Sequence, residues 1–243
     1  MHNIQDFPIK AVLFDLDDTL FDHLYSTRQG LLAVCEVYTI LQRHPIDELF
    51  STYMSLLDEI HLRVLKGELT IDQARVERFR RFFERYASEL EDSLKIADHA
   101  AWLHRSAYQR SRQMVTGVLP LLEYLHGKVK IAIVTNNLLE EQLDKLRYLQ
   151  LESLIDELVT SEETGFIKPD PAIFRVALER VGCQANEAVM IGDAWNADIQ
   201  GARQAGIRAI WLNRTNAPCP DPELALELFS FEPLETILKA IMR

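Results

Sequence analysis

The sequence predicts a doubly wound α/β fold, in which a parallel, Rossmann-like sheet carries a second, smaller domain made only of helices. Three observations support this prediction. Short apolar runs rich in valine and isoleucine have the length of buried parallel strands. Helical patterns separate the later runs, and about ninety residues after the first run contain no strand-like segment. Strands that alternate with helices form a parallel sheet with right-handed crossovers.

Four strong apolar runs and one weaker run predict the strands. The strong runs are residues 11–14, 131–134, 188–191 and 208–212, and the weaker run is residues 154–160. Just before the second strand, Pro120 suits the first position of a helix and Gly127 suits the end of the same helix. Two further helices are expected over residues 171–181 and 198–205, and a glycine follows each of them.

The long first crossover predicts a separate helical domain. A crossover needs about a dozen residues, and this one carries four helical patterns, at residues 25–42, 46–66, 70–86 and 90–112. The third pattern is the clearest, because Thr70 and Gln73 fit a capping box. Its apolar face is formed by Val76, Phe79, Phe83 and Tyr86. We therefore expect a core domain of residues 1–22 and 113–243, and a helical domain of residues 23–112 over the sheet edge where the first strand ends.

Composition excludes several classes of function. The chain has 243 residues, of which 48% are hydrophobic, and this is enough for a sizeable core. A net charge of −11 makes nucleic acid and anionic membranes poor partners. No apolar stretch approaches the roughly 20 residues of a membrane span, and residues 1–10 lack the features of a signal peptide. The three cysteines are widely spaced and predict neither a disulfide framework nor a zinc site, so we expect a cytoplasmic protein.

Polar side chains follow the predicted strands, where open α/β sheets bind their ligands. They are Asp15, Asp17 and Thr19 after the first strand, Thr135, Asn136 and Asn137 after the second, Lys168 in a loop, and Asp193 and Asp198 after the fourth. Two unit charges about 4 Å apart interact by about 4 kcal/mol at an effective dielectric of 20, so clustered carboxylates repel each other. Mg²⁺, which prefers oxygen ligands, would offset that repulsion. The sequence therefore predicts a magnesium site.

Four segments resemble the signature motifs of the haloacid dehalogenase superfamily, in the same order. They are DLDDTL, TN, KPDPAIF and GDAWNAD, and the resemblance spans the region from about Lys10 to Leu212. The helical insert resembles the family's helical (type C1) cap domain. The first motif together with such a cap resembles the phosphatase branch, including nucleotidases and phosphoglycolate-phosphatase-like members. The resemblance implies a Mg²⁺-dependent phosphatase of small phosphorylated metabolites, as a monomer or homodimer, with nucleoside 5′-monophosphates as the first substrates to test.

The resemblance also implies roles for individual residues. Asp15 resembles the nucleophile that accepts the phosphoryl group and is also a metal ligand. Asp17 resembles the general acid and base, and its backbone carbonyl resembles a metal ligand. Lys168 resembles the cation that neutralises the nucleophile and the transferring phosphoryl group. Asp193 resembles a second carboxylate on the metal.

Three further residues complete the implied site. Thr135 and the amide of Asn136 resemble the groups that hold phosphate oxygens. Asp198 resembles a supporting carboxylate that orients Lys168 or a metal-bound water. Apart from the resemblance, the sequence allows a second interpretation of Asp198, as a carboxylate that the dipole of a helix N-terminus favours.

Alternatives remain for the reaction and for several neighbouring residues. A 2-haloacid dehalogenase is less favoured, because the family's dehalogenases lack an acid at the position of Asp17. A phosphomutase and a slow-turnover phosphoacceptor or binding module are also open. Asp18 and Asp22 are expected to be structural, and His23 to lie at the surface. Trp195 either lines the pocket mouth or packs at the sheet edge.

Overall fold

The computed structural model describes residues 9–88, 90 and 93–242. These residues divide into two compact units, one made of the described residues up to Asp22 and from Gln113 onward, and the other of the described residues within 23–112. Within the described part of the chain, no helix combines the length and the apolar character that crossing a membrane requires.

The unit of residues 23–112 is helical. Its helices are α1 (His23–Val37), α2 (Ile46–Leu65), α3 (Ile71–Tyr86) and α4 (Ser93–Arg110), with a 3₁₀ turn at Thr39–Arg43. The capping box predicted before α3 is present, because Thr70 Oγ1 accepts the Gln73 N–H and Gln73 Oε1 accepts the Thr70 N–H. The first predicted helix is too long, since α1 ends at Val37. Residues 91 and 92 of the fourth predicted helix lie outside the described residues.

The core of the helical unit is aromatic. Its apolar cluster includes Tyr53, Phe79, Phe82, Phe83 and Tyr86. The predicted face of α3 is thus correct for Phe79, Phe83 and Tyr86, but it omitted Phe82. The arginines of α3 pair with carboxylates, for example Arg81 with Glu59 at 2.6 Å, which fits a solvated face.

The other unit is built on a sheet of six parallel strands. They are β1 (Ala11–Phe14), β2 (Lys130–Thr135), β3 (Glu157–Thr160), β4 (Ala188–Gly192), β5 (Arg208–Leu212) and β6 (Leu226–Leu228). Their order is β3-β2-β1-β4-β5-β6, and every neighbouring pair is parallel. The predicted doubly wound α/β class is therefore confirmed. From β1 the chain adds β2 and β3 on one side of the sheet and β4, β5 and β6 on the other. The direction of winding therefore reverses at β1, which lies between β2 and β4.

The helices of the sheet unit differ from the prediction at two places. They are α5 (Val118–Leu125), α6 (Leu139–Tyr148), α7 (Ser161–Thr164), α8 (Pro171–Val181), α9 (Gly201–Gln204) and α10 (Leu234–Met242). Pro120 is not the first residue of α5, because Gly117, with a φ of +85°, is the N-cap. The helix predicted over residues 198–205 is a π-helical turn at Trp195–Gln200 followed by α9. It begins earlier because the Asp198 carboxylate accepts the N–H of Ala194 at 3.0 Å.

Alternate strand residues build the core beneath the sheet. Leu13 of β1, Ala132 of β2 and Met190 of β4 belong to one buried cluster with Phe174 of α8. The neighbouring strand residues, such as Val12, are also fully buried. A strand buried on both faces must be apolar at nearly every position, which is why these runs were recognisable in the sequence.

Candidate active site

The carboxyl ends of three strands bring the predicted site residues to one edge of the sheet. Phe14, the last residue of β1, lies beside Ile133 of β2 and Ile191 of β4. Asp15 follows β1 directly, and its N–H donates to the Ile191 carbonyl at 3.0 Å. The next residues of the three strands therefore emerge side by side, at the reversal point where open α/β sheets bind ligands.

Lys168 lies at the centre of this edge and is 4% exposed. Its Nζ is 2.6 Å from Asp15 Oδ1, 2.6 Å from Asp198 Oδ1 and 2.7 Å from the carbonyl oxygen of Val134. An ammonium group has three donors, and these three acceptors satisfy them. Burial opposes the charged form, but the carboxylates of Asp15 and Asp198 outweigh it and raise the pKa of Lys168. The lysine is thus held as a cation against Asp15.

Asn136 holds the backbone that carries Lys168. Its Oδ1 accepts the Lys168 N–H at 2.7 Å, and its Nδ2 donates to the Lys168 carbonyl at 2.9 Å. The side-chain amide of Asn136 is therefore used to position Lys168. A phosphate-binding role for Asn136 would rest on its backbone N–H.

Three carboxylates converge beside Lys168. Asp15, Asp193 and Asp198 each offer one oxygen, and these oxygens lie within 4.8 Å of one another. The predicted metal ligands were Asp15, Asp17 and Asp193. The observed carboxylate cluster contains Asp15 and Asp193, but its third member is Asp198 and not Asp17. Gly192 makes room for it, since a Cβ at this position would lie 2.3 Å from Asp198 Oδ2.

The electrostatics of the cluster indicate uncompensated negative charge. Burial raises the pKa of Asp15 to about 7, with Lys168 opposing the rise and Asp198 adding to it. Burial, followed by the charges of Asp15 and Asp198, raises the pKa of Asp193 well above its ordinary value. One lysine does not neutralise three carboxylates. Their hard oxygen donors fit a divalent cation such as Mg²⁺.

The carboxylate of Asp17 points to a different set of partners. Lys145 Nζ lies 2.6 Å from Oδ1 and 2.7 Å from Oδ2 of Asp17. Gln142 Nε2 lies 3.1 Å and Asn137 Nδ2 3.3 Å from Oδ2. Gln142 Nε2 also lies 2.6 Å from Oγ1 of Thr135, the last residue of β2. The structure thus links Asp17 to Thr135 through one amide.

Sequence reasoning missed Gln142 and Lys145, although a signal was present. Both are buried on α6, together with Leu146. Residues three or four apart share a helix face, so a glutamine and a lysine stand where the apolar face of α6 would continue. Polar residues in such positions indicate a buried polar partner.

The residues around the motifs have structural contacts. Arg214 Nη2 lies 2.9 Å from Asp22 Oδ1, and Arg214 Nη1 donates to the Asp18 carbonyl at 3.2 Å. Asp18 has a φ of +64°, in the left-handed region that aspartate tolerates in turns. Trp195 packs edge-on against Trp211, with ring centroids 5.0 Å apart, so it contacts the sheet.

Comparison with known proteins gives consistent matches over most of the chain. A model of the haloacid dehalogenase-like hydrolase family matches residues 9–206. The ribulose-1,5-bisphosphate 5-phosphatase of Halopiger xanaduensis is 35% identical over 206 residues, covering 82% of this chain and 83% of that protein. The pyrimidine 5′-nucleotidase YjjG of Escherichia coli is 28% identical over 214 residues, covering 86% of this chain and 88% of that protein. The magnesium-bound structure of the HAD-hydrolase YfnB of Bacillus subtilis superposes with a TM-score of 0.74 and 26% identity, covering 96% and 99% of the two chains.

Proposed function

Because the chain belongs to the haloacid dehalogenase-like hydrolase family, we propose that it is a Mg²⁺-dependent phosphatase that forms an aspartyl phosphate on Asp15. The phosphatases and the nucleotidase among its relatives support hydrolysis of phosphate monoesters. The observation that carries the proposal is the buried pair of Asp15 and Lys168, 2.6 Å apart, beside the carboxylates of Asp193 and Asp198. The proposed nucleophile, a cation and a metal-ligating group therefore lie together at the edge of the sheet where the strands end.

Asp15 and Lys168 carry the first displacement. A carboxylate oxygen of Asp15 attacks the phosphorus, and the bond from phosphorus to the ester oxygen breaks. The buried Lys168 cation stabilises the negative charge on the phosphoryl oxygens as it develops. Asp198 and the Val134 carbonyl fix the lysine in place. Covalent catalysis of this kind divides a very slow hydrolysis into two easier steps.

Asp17 moves the protons. In the first step the leaving oxygen takes the proton of the protonated Asp17 carboxyl and departs as an alcohol, which leaves Asp17 as the carboxylate that Lys145 pairs with. In the second step a water oxygen attacks the phosphorus, Asp17 takes a proton from that water, and the bond between Asp15 and phosphorus breaks to release inorganic phosphate. A halide would leave without a proton, so Asp17 favours phosphatase over dehalogenase activity. Thr135 is placed to donate its hydroxyl proton to a phosphate oxygen.

The carboxylates of Asp15 and Asp193, together with the backbone carbonyl of Asp17, would hold the Mg²⁺ ion. When bound, the ion supplies positive charge next to the transferring phosphoryl group. Asp198 supports the site through Lys168 and the Ala194 N–H.

We further propose that the substrate is a small phosphorylated metabolite, such as a sugar phosphate or a nucleotide, and that residues 23–112 act as a cap domain that selects it. The three free cysteines, of which Cys35 and Cys183 are buried, suit the reducing cytoplasm. Replacing residues 23–112 by the corresponding segment of the Escherichia coli nucleotidase tests the role of this unit. A shift of preference toward pyrimidine nucleotides supports selection by the cap, and unchanged preference contradicts it.

Hydrolysis of p-nitrophenyl phosphate tests the proposed activity. Activity should need Mg²⁺, stop on addition of chelator and disappear in Asp15→Asn, which keeps the size of the side chain but removes the nucleophile. The exposed Asp221→Asn is the matched control and should keep full activity. Phosphate release by Asp15→Asn at the wild-type rate contradicts the proposal. A set of sugar phosphates and nucleotides then identifies the preferred substrate class.

A further inference from the structure

Three side chains from one helix and the turn before it contact the Asp17 carboxylate. Gln142 and Lys145 lie on α6, and Asn137 lies in the turn before it. Lys145 is 4% exposed and Gln142 is fully buried. Because buried side chains of a packed helix have little freedom, α6 sets the direction in which the Asp17 carboxylate points.

The chemistry of Gln142 fixes the orientation of a second group. An ionised carboxylate only accepts hydrogen bonds, so the nitrogen of Gln142 must face Asp17. The same nitrogen lies 2.6 Å from Thr135 Oγ1 and can only donate to it. The oxygen of Thr135 is therefore an acceptor in this contact, and its hydroxyl proton is directed to another acceptor.

We propose that Lys145 and Gln142 are positioning residues, which hold the Asp17 carboxylate and the Thr135 hydroxyl in a fixed relation. This inference rests on the proposed function, in which Asp17 transfers protons and Thr135 binds phosphate. Lys145 acts through Asp17 and thus affects the chemical step. Gln142 acts through Asp17 and Thr135, and thus affects both the chemical step and phosphate binding.

A structural role alone would have different consequences. If Lys145 and Gln142 only filled the buried face of α6, replacing them would lower stability, and any loss of activity would be independent of Asp17. If they act through Asp17, their effect must vanish once Asp17 itself can no longer transfer a proton. A double-mutant cycle measures this dependence directly.

The test combines Lys145→Met with Asp17→Asn and measures kcat and KM for p-nitrophenyl phosphate. A group displaced by about 1 Å can cost about 100-fold in rate, so we expect Lys145→Met to lower kcat about 10- to 100-fold with KM almost unchanged. In the Asp17→Asn background the same change should cause no further loss. An equal loss in both backgrounds, or wild-type kcat in Lys145→Met, overturns the role of Lys145.

Gln142→Leu tests the second contact. We expect it to lower kcat and also to raise KM several-fold, because the Thr135 hydroxyl loses its fixed direction. A wild-type KM in a folded Gln142→Leu enzyme overturns the link to Thr135. If Lys145→Met does not fold, the cycle of Gln142→Leu with Asp17→Asn decides between coupling and independence in the same way.

A control separates this inference from the loss of any lysine that forms an ion pair. Lys130 forms a 2.6 Å ion pair with Asp156 at the opposite end of β2, and Lys130→Met should keep wild-type kcat. Suppose that Asp15→Asn is inactive while the losses of kcat in Lys145→Met and Asp17→Asn multiply in the double variant. In that case only the positioning role fails, and the proposed function stands. If Asp15→Asn is fully active, the proposed function fails and the inference fails with it.

Discussion

The ammonium group of Lys168 lies 2.6 Å from the Oδ1 of Asp15, and both side chains are buried. Removing one partner of a buried ion pair leaves the other charge uncompensated and costs about 3–5 kcal/mol. Here Asp198 would lose the same cation, since it also lies 2.6 Å from the lysine nitrogen. The pair therefore contributes to stability and to the proposed reaction together.

Lys168→Met should lower both activity and stability. We expect kcat with p-nitrophenyl phosphate to fall at least about 100-fold, because the developing phosphoryl charge loses its buried cation. Urea unfolding without Mg²⁺ should show a loss of about 3–5 kcal/mol at pH 8. The exposed Lys239→Met is the control. A Lys168→Met protein as stable as the wild type would contradict the ion-pair interpretation.

Mg²⁺ should stabilise the folded protein, because it relieves repulsion among Asp15, Asp193 and Asp198. At 100 times its dissociation constant, a ligand that binds only the folded state adds about 2.7 kcal/mol to the free energy of unfolding. Thermal unfolding with and without Mg²⁺ measures this gain. In Asp193→Asn the gain should disappear.

Asp193→Asn should also raise the thermal stability of the metal-free protein at pH 8. The folded state raises the pKa of Asp193, so its ionisation costs stability as the pH rises above the ordinary aspartate value. Replacing the acid by a neutral amide removes that cost. A lower melting temperature for metal-free Asp193→Asn would show that the carboxylates do not repel each other as proposed.

Asp17→Asn should separate the two chemical steps. The p-nitrophenolate group leaves without a proton, so the first displacement on Asp15 should still occur. Water activation in the second step should fail, since the amide cannot accept the proton. Rapid mixing should therefore release about one equivalent of p-nitrophenol per enzyme in a burst, followed by slow turnover. Alkyl phosphates, which need the proton, should give no burst, and a burst of equal size with both substrates would contradict the role of Asp17.

The sheet and its carboxylates were predictable because their signals are local in the sequence. Strands such as β1 are buried on both faces and stand out as short apolar runs, and Asp15 follows one of them immediately. Once parallel strands are assumed, their carboxyl ends meet at one edge, so the proximity of Asp15 and Asp193 follows from topology alone. β6 was missed because its three residues, LEL, are too short to form a pattern.

Contacts made by long side chains were not predictable in this way. Lys145 reaches Asp17 across 128 positions of sequence. The polar residues on the buried face of α6 indicate a buried polar partner, but they do not identify which residue that partner is. The Asn136 side chain can bond the Lys168 backbone only because of where the loop before α8 lies. Local secondary-structure propensity does not determine the position of that loop. The π-helical turn at Trp195–Gln200 likewise results from a tertiary environment, in which Asp198 must reach both Lys168 and the Ala194 N–H.

The stability of the helical unit should depend on pH through His104. Burial, followed by the charges of Arg78 and His23, lowers the pKa of His104 well below its ordinary value. Its Nε2 has no hydrogen-bond partner within the described residues. The folded protein therefore keeps His104 neutral, while the unfolded chain takes up a proton below about pH 6.5. The contribution of His104 to the free energy of unfolding is therefore fully present above about pH 6.5. It decreases as the pH falls below that value, by at most about 1.4 kcal/mol per pH unit.

His104→Phe isolates this contribution, because the aromatic ring is kept and the titrating group is removed. Urea unfolding between pH 7.5 and 5, followed by far-ultraviolet circular dichroism, reports on the helices of the chain, of which the four longest lie within residues 23–112. The wild type should lose more stability on acidification than His104→Phe, and the difference should grow below pH 6.5. His99→Phe is the control, since His99 is exposed and stacks on Trp102. Identical pH dependence of the wild type and His104→Phe would show that His104 does not remain neutral in the folded protein.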